Sequence, residues 1–256
     1  MNASTGDETK KSGLGRDFWM YRLGNIASAF GDSCATIALA WWVLDKTGSP
    51  AQMSAILAPA MFVRVFLLPI CGPFGDRFSR KWLVALGDIW RLIIAITLAL
   101  FVINDYFSLP IILALFVANS LGTALSSAGA SAMLPKLVPK ELLGKAIGQT
   151  QIVESIAGVA GGVAAGGLVS AVGVHGAFFF DAFSFAISAL TVLFIKANTH
   201  PSGDLKESAP NKNALATWAT DLASGFQFVR KARFLVLLLG LLMIFNLVLA
   251  PIGVVA

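Results

Sequence analysis

Apolar residues run almost unbroken through seven stretches, at 18–44, 52–74, 82–103, 109–133, 146–170, 174–196 and 233–256, separated by short polar or charged breaks. Each is about as long as the ~20 residues a helix needs to cross a bilayer. None shows the strict apolar/polar alternation of short barrel strands. The pattern therefore predicts an all-α membrane protein made of a polar lead (1–17), a six-helix bundle (18–196), a linker (197–232) and a seventh span (233–256). Within the linker, residues 200–213 are polar and turn-rich. Leu215, Trp218, Leu222, Phe226 and Val229 then recur at three- and four-residue spacing, which predicts an amphipathic helix lying at the membrane interface. The long polar lead, Met1 to Arg16, with no small-residue cleavage site before Trp41-Trp42, marks the first span as a retained helix and not a signal peptide.

Composition agrees with lipid as the main solvent. Of the 256 residues, 57% are hydrophobic and 13% charged, about half the charged share of a soluble domain. Sixteen of the 19 Lys and Arg fall in or beside the lead and the second, fourth and sixth connections, with Lys46 alone in an opposite loop and Arg64 and Arg91 inside spans. Basic loops stay inside, so the amino terminus is expected in the cytoplasm of a cell whose inner membrane holds the chain. Scattering of these charges over separate loops argues against a nucleic-acid surface in spite of the net charge of +5. Cys34 and Cys71 lie in apolar spans and there are two histidines, so neither a metal site, a cofactor, a disulfide nor a nucleophile with its base is expected, and an enzyme is disfavoured.

Between the second and third spans stands Gly72-Pro-Phe-Gly-Asp76-Arg77-Phe-Ser-Arg80-Lys81, a loop similar at every fixed position to the Gly-x-x-x-Asp-Arg-x-x-Arg-Lys motif of the major facilitator superfamily. Gly31-Asp32, Trp42 to Ser49, Asp88-Ile-Trp-Arg91, Leu134 to Pro139 and Asp221 to Arg230 resemble its macrolide-efflux and enterobactin-exporter branch. The resemblance implies a secondary transporter that exports small amphipathic molecules by alternating access, driven by a proton or sodium gradient. It also implies twelve helices in two halves, with substrate held between them. This chain, with seven spans, is read as the first half and seventh helix, needing a carboxy-terminal half or a second chain. The antiporter signature of the fifth helix departs from the family pattern, because Gly161-Gly162 stands where Gly-Pro is usual. The alternative is a non-transporting regulatory or assembly subunit.

Six ionisable groups inside the spans, Asp32, Arg64, Asp88, Arg91, Glu154 and Asp181, each cost roughly 2.5–3.5 kcal/mol at mid-helix and so must face partners or a watery cavity. Asp32 and Arg64 lie at depths differing by roughly 4–5 Å, close enough to pair. Asp32 is a candidate proton or cation site tuned by Arg64, or else half of a fixed ion pair. Asp88 and Arg91, three apart on one helix face, are expected to support the gating loop of Gly72, Asp76, Arg77, Arg80 and Lys81. Glu154, near Gln149 and Gln151, either contacts substrate or joins helices. Asn25 and Asn119 have the same two alternatives. Asp181 is expected to reach interfacial water. Gly158, Gly162 and Gly166 form a small-residue stripe expected to pack a neighbouring helix, and Pro69 and Pro73 to bend the second span.

Overall fold

The computed structural model describes residues 14–56 and 79–195 continuously, with single positions 59, 63, 67, 71, 234, 237, 240 and 241. The chain divides into two compact units, Met1–Ser202 and Gly203–Ala256. In the second unit the four described positions are helical, and the expected linker helix and most of the seventh span lie outside the described residues.

In the first unit, α1 (Arg16–Thr47) ends where Gly48 takes φ 61° and returns its N–H to the Leu44 carbonyl. That left-handed geometry suits glycine and satisfies a carbonyl the helix would otherwise leave open. Residues 50–56 are helical again, as are positions 59, 63, 67 and 71, which share one face at four-residue spacing. Then α2 (Arg80–Ile103) runs to a turn at Asn104 and Asp105, where Asp105 adopts φ 51°. Pro110 sits in the first turn of α3 (Leu109–Leu137), where its missing N–H costs nothing. A 3-10 turn, Lys140–Leu142, leads into α4 (Leu143–Leu193).

At 51 residues α4 would be about 75 Å long if straight, over twice a ~30 Å hydrocarbon core. It is not straight. Gly173, with φ 75° and ψ 174°, leaves the helical region and divides α4 into two arms. This break falls in the gap between the spans expected at 146–170 and 174–196. Contacts with α1 give the directions. Arg22 and Cys34 bond the carbonyls of Gln149 and Gly161, so α1 and the first arm run parallel. Gly24 meets Ser188 and Thr191 while Gly31 meets Ser184 and Asp181, so the second arm runs back antiparallel.

Among the described residues, Arg16–Thr47, Arg80–Ile103, Leu109–Leu137 and Lys140–Leu193 are long and apolar enough to cross a membrane. Their exteriors are apolar too: Trp82, Leu86, Ile93 and Leu100 of α2 are exposed while Asp88 and Arg91 on the opposite face are buried. That inversion is what a lipid solvent selects, since hydrocarbon accepts the apolar face and the polar groups turn inward.

Two apolar clusters close the bundle interior at different heights. One gathers Leu39, Trp42, Val43, Ile94, Leu98, Ile112 and Phe178. The other gathers Phe18, Tyr21, Val84, Met133, Leu137 and Val192. Asp32, Asp88, Arg91, Ser126 and Asp181 to Ser188 fall between the members of these two clusters along their helices. The result is a polar layer flanked by two apolar clusters.

Candidate functional site

Arg91, 6% exposed, anchors the polar layer. Its Nη2 donates to Oδ2 of Asp32 on α1, an ion pair. The guanidinium carbon lies 4.0 Å from the centroid of Phe185, a cation–π contact with the second arm of α4. Arg91 Nε is buried and has no hydrogen-bond partner among the described residues.

One turn earlier on α2, Asp88 accepts hydrogen bonds from Ser126 Oγ of α3 at 2.7 Å and Ser188 Oγ of α4 at 2.6 Å. A single carboxylate thereby ties three helices. Asp181 is buried beside this pair: a Cβ added at Gly31 would stand 2.7 Å from its Oδ1. Ser184 Oγ lies 3.5 Å from the same oxygen and 2.7 Å from the Asp181 backbone carbonyl, to which it donates.

A cavity of about 590 Å³ opens on the layer, lined by Asn25, Asp32, Asp88, Arg91, Gln151 and Glu154 with hydroxyls from Thr123, Ser126 and Ser188. Its size suits a small organic molecule. A second space of about 20 Å³ touches Asp32, Thr36, Asn119 and Asp181 among apolar neighbours.

Asp32, Asn25 and Glu154, singled out in the sequence, thus meet on one cavity, and Asn119 adjoins Asp32 on the smaller one. Arg64, expected as the partner of Asp32, lies outside the described residues, as do Gly72, Asp76 and Arg77. Among the described residues, Arg91 pairs with Asp32. Asp88 and Arg91, expected to support the gating loop, stand in the polar layer, while most of that loop lies outside the described residues. Among the described residues they make no ion pair with each other, because Arg91 turns to Asp32 and Asp88 to two serines. Of the loop, Arg80 is buried with Nε and Nη1 unpartnered among the described residues, and Lys81 donates to the Ile195 carbonyl at 3.0 Å.

One further expectation changes. Asp181 is 5% exposed and faces α1, not interfacial water. Sequence reasoning missed it because its aromatic neighbours Phe179, Phe180 and Phe183 point outward while the carboxylate points in. Among the described residues, the closest approach on the first arm of α4 falls one residue away from the glycine stripe. A Cβ at Gly158 or Gly166 would meet nothing within 4 Å among the described residues, and one at Gly162 would touch only Ile37. Close approach occurs instead at Gly161, where an added Cβ would lie 2.5 Å from Ser33 Cβ and 3.1 Å from the Phe30 carbonyl. Ala157 and Ala165, both buried, continue that face.

A polytopic helical membrane protein, with an ion-paired layer exposed to an interior cavity, is the class these features define. The Major Facilitator Superfamily profile matches residues 23–255, and the chain belongs to that superfamily of membrane transporters. It is 25% identical over 194 residues to the uncharacterised MFS-type transporter YfiS of Bacillus subtilis, covering 76% of this chain and 44% of that one. To macrolide efflux protein A of Streptococcus pyogenes it is 26% identical over 181 residues, covering 70% and 44%. An uncharacterised MFS-type transporter of Mycobacterium bovis, Mb0038c, is 28% identical over 152 residues, covering 58% and 33%. The chain spans less than half the length of these relatives.

Proposed function

We propose that this chain forms the amino-terminal part of a secondary active exporter of small amphipathic molecules, working by alternating access and driven by a proton or sodium gradient. The observation that carries the reading is the Asp32–Arg91 ion pair standing on the wall of a cavity of about 590 Å³. An ion pair that separates when Asp32 takes up a cation gives the bundle two charge states. A transporter couples ion to cargo by preferring a different conformation in each. The likeness to macrolide efflux protein A supports an amphipathic cargo.

In this reading residues 18–196 form the six-helix bundle, 197–232 a cytoplasmic linker and 233–256 the first helix of a second bundle. That second bundle, from the same gene or another copy, supplies the remaining cavity wall. The amino terminus lies in the cytoplasm of a cell whose inner membrane holds the protein, and Gly72, Asp76, Arg77, Arg80 and Lys81 form its inner gate. Asn25, Asn119 and Glu154 contribute polar contacts to cargo or to neighbouring helices.

Expression of the full-length gene product in cells stripped of endogenous efflux pumps tests the proposal, using a radiolabelled macrolide and a lipophilic cationic dye as probes. Lower accumulation of either probe, abolished by a protonophore or by sodium removal and lost in Asp32→Asn, is the expected result. Equal accumulation with and without the protein, or efflux that survives collapse of both gradients, overturns it.

A further inference from the structure

The polar layer contains three carboxylates, Asp32, Asp88 and Asp181, and one guanidinium, Arg91. Apolar clusters bound it on both sides. Fully ionised, the layer would hold two uncompensated negative charges. A buried charge without a partner is so costly that the group takes up a proton instead. The geometry indicates which one. Asp32 has Arg91 and faces the large cavity with 38% of its side chain exposed. Asp88 accepts two hydroxyls, at 2.7 and 2.6 Å, the short separations of charge-assisted bonds. Asp181 has no ion pair and no short hydroxyl bond among the described residues. Its one side-chain hydrogen-bond neighbour among the described residues is Ser184 Oγ at 3.5 Å, whose hydrogen is directed to a backbone carbonyl.

We infer that Asp181 is the seat of a transferable proton, and that this proton and the Arg91 guanidinium exchange places between Asp181 and Asp32. The idea rests on the transport reading for its purpose, though not for its geometry. In the step, the O–H bond at Asp181 breaks and one forms at Asp32, while Arg91 leaves the neutralised Asp32 and pairs with the new Asp181 carboxylate. Proton count and net charge are unchanged.

Two features of the layer fit that exchange. Arg91 Nε is a buried donor without a partner among the described residues, so the guanidinium has an unused N–H for a second carboxylate. The space of about 20 Å³ touching both Asp32 and Asp181 is large enough for one water, and Thr36 and Asn119 supply further polar contacts for it. α1 backbone at Gly31 already abuts Asp181, so the route is short. Among the described residues, the titratable and charged groups that face Asp181 are Asp32 and Cys34 from α1 and Arg91 from α2, with Asp88 among the other charged neighbours of Arg91. α3 contributes the neutral amide of Asn119. Asp32, the carboxylate open to the cavity, is then where the proton enters and leaves.

Infrared difference spectroscopy of the full-length protein in lipid nanodiscs, titrated across pH without any cargo, reads the carboxylic-acid C=O stretch directly. At neutral pH the wild type is expected to show a band from a protonated buried carboxyl that disappears in Asp181→Asn. In Asp181→Glu the band should survive at a displaced frequency, which separates loss of the group from misfolding. Asp32→Asn leaves Arg91 to Asp181, so the band should vanish at lower pH than in the wild type. Persistence of the band in Asp181→Asn overturns the inference, and so does its removal by sodium at constant pH, which would assign the site to a metal cation. If the band behaves as expected while neither macrolide nor dye is exported, the export reading fails and the proton assignment stands. Export with the band unchanged in Asp181→Asn has the reverse meaning.

Discussion

Arg91 of α2 reaches Asp32 of α1 while lying 4.0 Å over the ring of Phe185 in the second arm of α4, so one guanidinium links three helices. The two members of the pair are unequal. Arg91 has 7% of its side chain exposed and Asp32 38%. Removing Arg91 strands carboxylates in the interior, whereas removing Asp32 leaves the guanidinium with Asp88 and Asp181 nearby.

Arg91→Leu is therefore expected to destabilise the bundle by about 3–5 kcal/mol, the usual cost of orphaning a buried charge. Asp32→Asn, half open to the cavity, should cost no more than ~1 kcal/mol. Thermal unfolding in nanodiscs, repeated on the double variant, measures both numbers and their coupling. Equal losses from the two single variants would show that the pair is not asymmetric in this way.

Ser188 spends its hydroxyl on Asp88 at 2.6 Å from a buried position, while Ser126 divides its contact between Asp88 at 2.7 Å and the Val84 carbonyl at 3.2 Å. Ser188→Ala should lower stability by about 1–2 kcal/mol, the range for a buried bond to a charged acceptor in a membrane bundle. Ser126→Ala should cost less, because its hydrogen is shared. Denaturation with a strong detergent, followed by tryptophan fluorescence, orders the two variants. Ser126→Ala emerging as the more damaging would contradict the assignment.

Depth along a helix is legible in a sequence, and partners across helices are not. The breaks near Gly48, Asn104 and Gly173 could be placed because turn residues and polarity interrupt the apolar runs there. Asp32 could be placed at mid-span by counting residues. Its pairing with Arg91 could not, because the two helices come within side-chain reach only by packing on α4. Asp181 shows the same limit, since rotation of the second arm turns its carboxylate toward Gly31 while Phe183, two residues on, is 63% exposed.

The glycines of the first α4 arm illustrate how near a pattern can come. Gly158, Gly162 and Gly166 repeat at four residues, but the buried face is Ala157, Gly161 and Ala165, where alanine conceals the repeat. Gly161→Val should be destabilising by about 1–3 kcal/mol through overpacking against Ser33 and Phe30. Gly158→Ala meets no described neighbour within 4 Å and should be neutral or stabilising by up to ~1 kcal/mol. Parallel melting curves of the two variants decide the register. A larger loss from Gly158→Ala would restore the stripe read from the repeat.

Orientation can be tested at the two ends of the bundle. Asp105, in the turn after α2, is 75% exposed and pairs with Lys46 at the carboxy-terminal end of α1. Lys140, in the 3-10 turn before α4, is exposed at the opposite end of α3. Native Cys34 and Cys71 are buried, so introduced cysteines can be read against a quiet background. Basic residues are concentrated on the Lys140 side, which the positive-inside rule assigns to the cytoplasm. With a membrane-impermeant maleimide, Asp105→Cys should be labelled in intact cells and Lys140→Cys only after the membrane is opened. Labelling of Lys140→Cys from outside would invert the topology. It would also move the loop of Arg80 and Lys81, which the charge distribution places with Lys140, to the outer surface, where it cannot act as an inner gate.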